Sequence, residues 1–301
     1  MAISSTLPAY VEQNTDKLIR DAVIGSESAK MFTLQTGVKN KSAINLLNTT
    51  VVLQDGSACG WNGNGTSAVS QREITAPTLK VNMSFCDNTL ENTALQYEVR
   101  VAAGQKTLPF EQDFVTGVLE QIGEQVESMI WNGDSSLGAV GLIGILADSS
   151  TGITTAAQDI THTAITTAAS AKTAIDAVLI AIPAKVIKRA KIFLGYDVYR
   201  LYVMALQSAN LYHTPADGLD VGEMYYPGSQ IKIKAVGGLD GTGVIVAGDP
   251  ANFFYGCDLT GDEEKFDLWY SKDNQEFRLA VQFNVGVQVA YPNAIVLSQK
   301  A

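Results

Sequence analysis

Histidine and cysteine are scarce in this 301-residue chain: two His, and three Cys (Cys59, Cys86, Cys257) with no Cys-x-x-Cys pair. An odd, scattered set of thiols suits neither a disulfide framework nor a zinc site, and folding inside a cell is expected. His162 and His213 have no motif around them, so Cys59 in GSACGW (56–61) lacks the base a thiol nucleophile needs. Long apolar runs are missing too. GAVGLIGILA and AVLIAI are too short to span a bilayer. The start, MAISSTLPAYVEQNTDK, has no basic stretch followed by an apolar one, so no signal peptide is expected. Positive charge is the minority, 21 Lys+Arg against 31 Asp+Glu, for a net charge of −10. That disfavours gripping nucleic acid through a basic face and fits a protein that lies beside nucleic acid without adhering.

A local gap in lysine settles one motif. GWNGNGTS (60–67) has Gly60 and Gly65 at phosphate-loop spacing and Ser67 placed for magnesium, but Thr66 stands at the lysine position. No Lys or Arg occurs between Lys41 and Arg72, so nothing nearby replaces that charge. The stretch reads as a Gly/Asn turn. A nucleotide-dependent enzyme built on it is the alternative of another class, and the missing lysine counts against it. GDEEKFD (261–267) lacks calcium-loop spacing and reads as a solvated turn. VGGLDGTG (236–243) has no helix after it and reads as a hairpin turn, not a dinucleotide site.

What is present is a globular composition, 46% hydrophobic and 17% charged, in a chain long enough for two compact domains or one elaborated one. Residues 9–24 form a modest amphipathic helix by pattern, and 25–42 look like an extended arm. SAINLLNTTVVLQ (42–54) and AVSQREITAPTLKVNMSFC (68–86) flank the glycine-rich tip as a long hairpin. Only its base alternates cleanly, with Leu79, Val81, Met83 and Phe85 on one face. A two-stranded ribbon without a buried face is marginal alone, so it should lie against a neighbouring copy. PFEQDFVTGVLEQIGEQVESMIW (109–131) is the strongest helix signal, with Phe110, Phe114, Val118, Ile122, Val126 and Ile130 every four residues. Pro109 opens it and Asn-Gly-Asp (132–134) stops it, giving a spine of roughly 35 Å. Residues 135–171, with Asp148 and Asp159 as their only charges, read as a low-complexity connection. A helix over 170–182, a strand KIFLG and a helix N-capped by Asp197 follow. Near the end Phe277, Leu279, Val281, Phe283, Val285, Val287 and Val289 alternate strictly with their neighbours, the cleanest strand in the chain.

This order, with IWNGDSSLGAVGLIGIL, AIDAVLIAIPAKVIKRAKIFLGYDVYRLYVMAL, GVIVAGDPANFFYGCDL and FRLAVQFNVGVQVAYPNAIVL as its marked stretches, resembles the major capsid proteins of tailed bacteriophages with the Hong Kong 97-type fold. The likeness runs over residues 79 to 298, and the arm and hairpin match in position and character only. It implies an α+β fold with an N-terminal arm (1–45), an extended β-hairpin loop (46–78) and a peripheral domain (79–165) bearing the spine helix 109–131. An axial domain (166–270) and a closing strand (271–301) that returns to the peripheral domain complete it. By that resemblance the chain assembles with itself into hexamers and pentamers of an icosahedral shell around double-stranded DNA, without sequence-specific contact, membrane or cofactor. A separate scaffold and a portal are the implied partners, and either non-covalent contacts or a decoration protein holds the mature shell. The place implied is the virion capsid, assembled in the bacterial host cytoplasm. Without a lysine in residues 42–79, covalent welding of neighbours by a loop lysine is not expected. An encapsulin-like compartment is the alternative on the same fold.

The interface candidates follow from this. On the ribbon they are Trp61, as an aromatic anchor, with Asn62, Asn64 and Arg72. Glu120, Glu124 and Glu127 fall at i, i+4 and i+7, and no Lys or Arg occurs from 107 to 171. This stripe is either a solvated face or a surface for a neighbour's basic residues. The basic group Lys185, Lys188 and Arg189, with Lys191, suits DNA, a neighbour's acidic stripe, or simply an exposed turn.

Overall fold

The computed structural model describes residues 23–53, 65–86, 110–211, 221–258 and 265–300, together with Val11, Leu18, Asp55 and Gly63. The segment expected as an extended arm is instead bound to the body. Val23, Ala29 and Phe32 are buried, and β1 (Thr33–Thr36) pairs in parallel with a strand more than 200 residues later. The polar appearance of 25–32 misleads because Ser26 and Ser28 are themselves buried.

The ribbon is β2 (Asn40–Thr50) against β3 (Thr66–Ala76), in register from Asn40↔Ala76 to Thr50↔Thr66. Its clean base is not part of the ribbon. Pro77, which cannot donate to a ladder, separates β3 from β4 (Thr78–Cys86), and β4 joins the main sheet.

Helix α1 (Phe110–Asn132) buries Val115, Val118, Ile122, Val126 and Ile130, the expected stripe. It ends where Gly133 adopts a left-handed φ of 71°. The low-complexity connection is more ordered than its composition suggests. The short pair β5 (Gly133–Asp134) and β6 (Ala139–Val140) leads into α2 (Leu142–Ala147), whose Leu142, Ile145 and Leu146 enter the main core.

Beyond β7 (Asp159–His162), α3 (Ala168–Ala181) begins at a Thr167/Ser170 capping box. Strand β8 (Lys191–Leu194) leads into α4 (Tyr196–Ser208). The N-cap of α4 is Gly195, not Asp197, which lies inside the first turn. A Cβ at residue 195 would sit 2.6 Å from the Leu239 carbonyl oxygen, so the tight approach selects glycine there.

Strands β9 (Glu223–Tyr225), β10 (Lys232–Ala235) and β11 (Ile245–Gly248) belong with β7 and β8 to a six-stranded sheet ordered β7-β15-β11-β8-β10-β9, with β15 (Val296–Lys300). VGGLDGTG is therefore not a hairpin turn, because β8 lies between β10 and β11. Its 3-10 turn packs on the spine helix instead. A Cβ on Gly238 would come within 2.4 Å of the Glu127 carbonyl oxygen and the Trp131 ring.

The second sheet contains β1, β12 (Phe253–Cys257), β13 (Lys265–Ser271), β14 (Glu276–Val289) and β4, with β14 as its common member. The closing run is thus two strands in two sheets, broken at Tyr291–Pro292, where Pro292 opens a 3-10 turn.

One aromatic group ties these parts together. Phe32 precedes β1, Trp131 ends α1, Phe193 lies in β8 and Phe253 opens β12, with ring centroids 5.0–6.4 Å apart. Alternation in β8 sends Phe193 to this core and Ile192 and Leu194 to a second one under α3 and α4. Among the described residues no helix is long and apolar enough to cross a membrane.

Candidate assembly surface

The ribbon has two unlike halves. In the root, Ile44, Leu46, Ile74 and Ala76 are buried with Val38 and Ala290 in a small separate core. Two glycines let it sit flat on the sheet. A Cβ on Gly286 would lie 2.1 Å from the Thr75 carbonyl oxygen, and one on Gly256 would lie 2.6 Å from Ile74 Cδ1. Gly286 was legible as such a site, since a glycine inside an alternating strand marks close backbone approach.

Arg72 also belongs to the root. Its guanidinium donates to the Thr151 carbonyl at 2.8 Å and to Gln288 Oε1 at 3.3 Å, while Gln288 Nε2 donates to the Glu73 carbonyl at 2.6 Å. The expected ribbon contact to another subunit is here met within the chain.

Beyond Leu46 and Arg72 every described ribbon residue is exposed. Leu47, Val51, Leu53 and Val69 are 62–95% exposed, large apolar side chains with no described residue covering them. Trp61, Asn62 and Asn64, at the tip, lie outside the described residues.

The acidic stripe divides. Glu120 and Glu124 are exposed, and they line a hollow with Glu27 and Asp240. Glu127 lines the same hollow but at its floor: it is 6% exposed and its carboxylate is used internally. Ser28 N–H donates to one oxygen at 2.9 Å, the Ser28 hydroxyl to the other, and the Trp131 indole N–H lies 3.1 Å from the latter. Burial pushes the Glu127 carboxyl above the usual range, against the pull of these donors. Its side chain ties the N-terminal segment to the spine helix. The i, i+7 spacing misleads here because Ser28 is 99 positions away in the sequence. Glu27, which accepts from the Tyr196 hydroxyl at 3.3 Å, is an acidic neighbour that the helix pattern could not reveal.

The basic group sits on the turn after α3, where Lys185, Lys188 and Arg189 are all exposed. Arg189 pairs with Asp249 at 3.0 Å, and Lys188 and Arg189 share a hollow with Lys191, Lys232, Tyr225 and Tyr226. Among the described cysteines, Cys86 is exposed and Cys257 buried.

No family model and no curated protein matches the chain. Solved structures do. A chain of the satellite phage P4 procapsid, solved with its size determination protein, aligns at TM-score 0.62 and 10% identity over 95% of this chain and 90% of that one. The chain has the Hong Kong 97-type capsid fold. A capsid chain of a native GTA particle gives TM-score 0.58 and 10% identity, with 93% and 90% covered. The holo-SrpI encapsulin complex from Synechococcus elongatus gives 0.55 and 11%, with 90% and 85% covered. At such identities the capsid fold is shared while individual side-chain roles are not carried over, so the surface above rests on this chain's own geometry.

Proposed function

We propose that the chain is a phage major capsid protein, a tile that assembles with itself into hexamers and pentamers of an icosahedral shell around double-stranded DNA. The observation that carries this reading is the outer ribbon. Its exposed Leu47, Val51, Leu53 and Val69 project from a root that is firmly held, an arrangement that suits burial against a second copy. Heterologous contacts of this kind close into rings, and many modest interfaces summed over a lattice permit error correction during assembly. In this reading residues 1–45 act as arm, 46–78 as extended loop, 79–165 and 271–301 as peripheral domain and 166–270 as axial domain. The ribbon strand begins already at Asn40, β12 and β13 are lent to the peripheral sheet, and β7 and β15 to the axial one. The net charge of −10 lets packaged DNA slide and not adhere. The chain performs no catalysis and needs no cofactor. A scaffold and a portal are separate partners, and non-covalent contacts or a decoration protein hold the mature shell. Assembly takes place in the bacterial cytoplasm before the shell becomes part of the virion.

The encapsulin neighbour supports a second reading on the same fold, a compartment for protein cargo. Negative-stain microscopy of the expressed protein, followed by analysis of particle contents, tests both. Closed particles support the shell, DNA inside selects the phage reading and a co-purifying enzyme selects the compartment. A monodisperse monomer at high concentration overturns both.

A further inference from the structure

Arg72 stands at the boundary between the held and the free parts of the ribbon. It lies opposite Ile44 in the β2–β3 register, and from Gln71 to Thr66 β3 is wholly exposed. Its two acceptors come from different parts of the body, Thr151 from the turn after α2 and Gln288 from β14. Both are stiffly mounted. The Asp148 carboxylate accepts from Ser150 N–H and Thr151 N–H, each at 2.8 Å, and from the Ser150 hydroxyl at 2.7 Å. These bonds fix the turn that presents the Thr151 carbonyl, and they hold the Asp148 carboxyl down at about 2. Gln288 Oε1 also accepts from Val289 N–H at 2.9 Å, and Gln288 Nε2 grips the Glu73 carbonyl, so that side chain is anchored at both ends. A weaker tether slightly farther out is a 3.5 Å contact of the Tyr291 hydroxyl with the Leu47 carbonyl, at the limit of a hydrogen bond.

We propose that Arg72 is a positioning residue for assembly: by clamping the ribbon to Thr151 and Gln288 of its own subunit it sets the ribbon's tilt, and through it the curvature of the shell. The clamp is internal to the subunit. The consequence for curvature rests on the shell reading above. A fan of five donors held by two fixed acceptors defines an angle as well as a distance, which a point-charge ammonium does not. The lever is long. At about 3.4 Å per residue Thr50 lies roughly 20 Å beyond Ile44, so a tilt of about 10° at the root moves it by roughly 3.5 Å. That is enough to shift which residues of a neighbouring copy the outer half meets.

The test compares wild type with Arg72→Ala, Arg72→Lys and Gln288→Ala by two readouts. The first is hydrogen exchange over 40–50 and 66–76 in unassembled subunits. The second is the particle diameter distribution by electron microscopy. Arg72→Ala is expected to speed exchange at 66–72 about tenfold while the melting midpoint falls by about 4 °C or less. Its particles lose a single diameter and include open sheets. Gln288→Ala gives the same phenotype from the acceptor side, and Arg72→Lys lies between wild type and alanine. Should Arg72→Ala fail to fold, Gln288→Ala decides alone. Unchanged exchange overturns the clamp, and faster exchange with an unchanged diameter distribution overturns its link to curvature. If wild type forms no particles under any condition, the shell reading falls instead, while exchange still reports on the clamp.

Discussion

The inner and outer halves of the ribbon share one ladder and one secondary structure, yet they answer to different forces. The inner half is held by burial of Ile44, Leu46 and Ile74 on a glycine-lined sheet and by Arg72. The outer half keeps the same antiparallel register to Thr50↔Thr66 with no apolar face covered. Pairing alone does not give a β-ribbon a reason to be stable in water. The root is therefore a folding feature and, on the proposed shell reading, the outer half is an association feature, joined without any break in the strands.

That contrast is breakable at graded cost. Gly286→Val carries the largest expected effect. A side chain there collides with the Thr75 backbone and lifts the root, so stability falls by about 3 kcal/mol in urea unfolding and assembly is lost. A Gly286→Val protein with wild-type stability would sink the account of the root.

Glu127→Ala comes next. It removes the acceptor of the Ser28 amide and hydroxyl, while the Trp131 indole N–H keeps Ser28 Oγ at 2.8 Å, for a loss of about 2 kcal/mol by the same measurement. The raised Glu127 pKa fixes a sign as well. Protonation favours the folded state, so this group's contribution is fully present below the ordinary glutamate value of 4.5 and is lost as pH rises through the higher folded value. Wild-type stability relative to Glu127→Gln should therefore decline as pH rises from 4.5 toward neutrality. Urea titrations across that range check it, and a flat difference excludes the assignment.

Leu53→Ser sharpens the comparison from the other side. Leu53 is 95% exposed, so subunit stability should change by less than about 0.5 kcal/mol while the yield of closed particles drops. Equal loss in both would mean that the outer half is folded onto something within the subunit. The smallest effect is expected from Glu120→Gln with Glu124→Gln. Stability is unchanged within about 0.5 kcal/mol, and only the salt dependence of particle formation shifts if a neighbour's cations face these groups. Particle yields that track wild type at every salt concentration return the pair to the status of a solvated face.

Local periodicity explains what could be read in advance. The four-residue recurrence along 114–130 is enough to make α1 and to choose its buried side, and strict alternation from Phe277 to Val289 is enough to make β14. Local chemistry failed wherever a partner was distant. Glu127 looks like one carboxylate of an exposed stripe because its fate depends on Ser28, and the segment around Ser28 looks like an extended arm because its fate depends on Glu127 and on the packing of Phe32 against Phe253.

The sequence by itself determined the element types, the spine helix, the ribbon with its unsatisfied apolar residues, and the absence of a charge to make its tip a phosphate site. Each depends on residues a few positions apart. Only the tertiary structure decided which half of the ribbon is held, that Arg72 is bound within its own chain to residues 79 and 216 positions away, and which glutamate is buried. Those outcomes depend on groups brought together by the two sheets, and no spacing along the chain encodes such proximity.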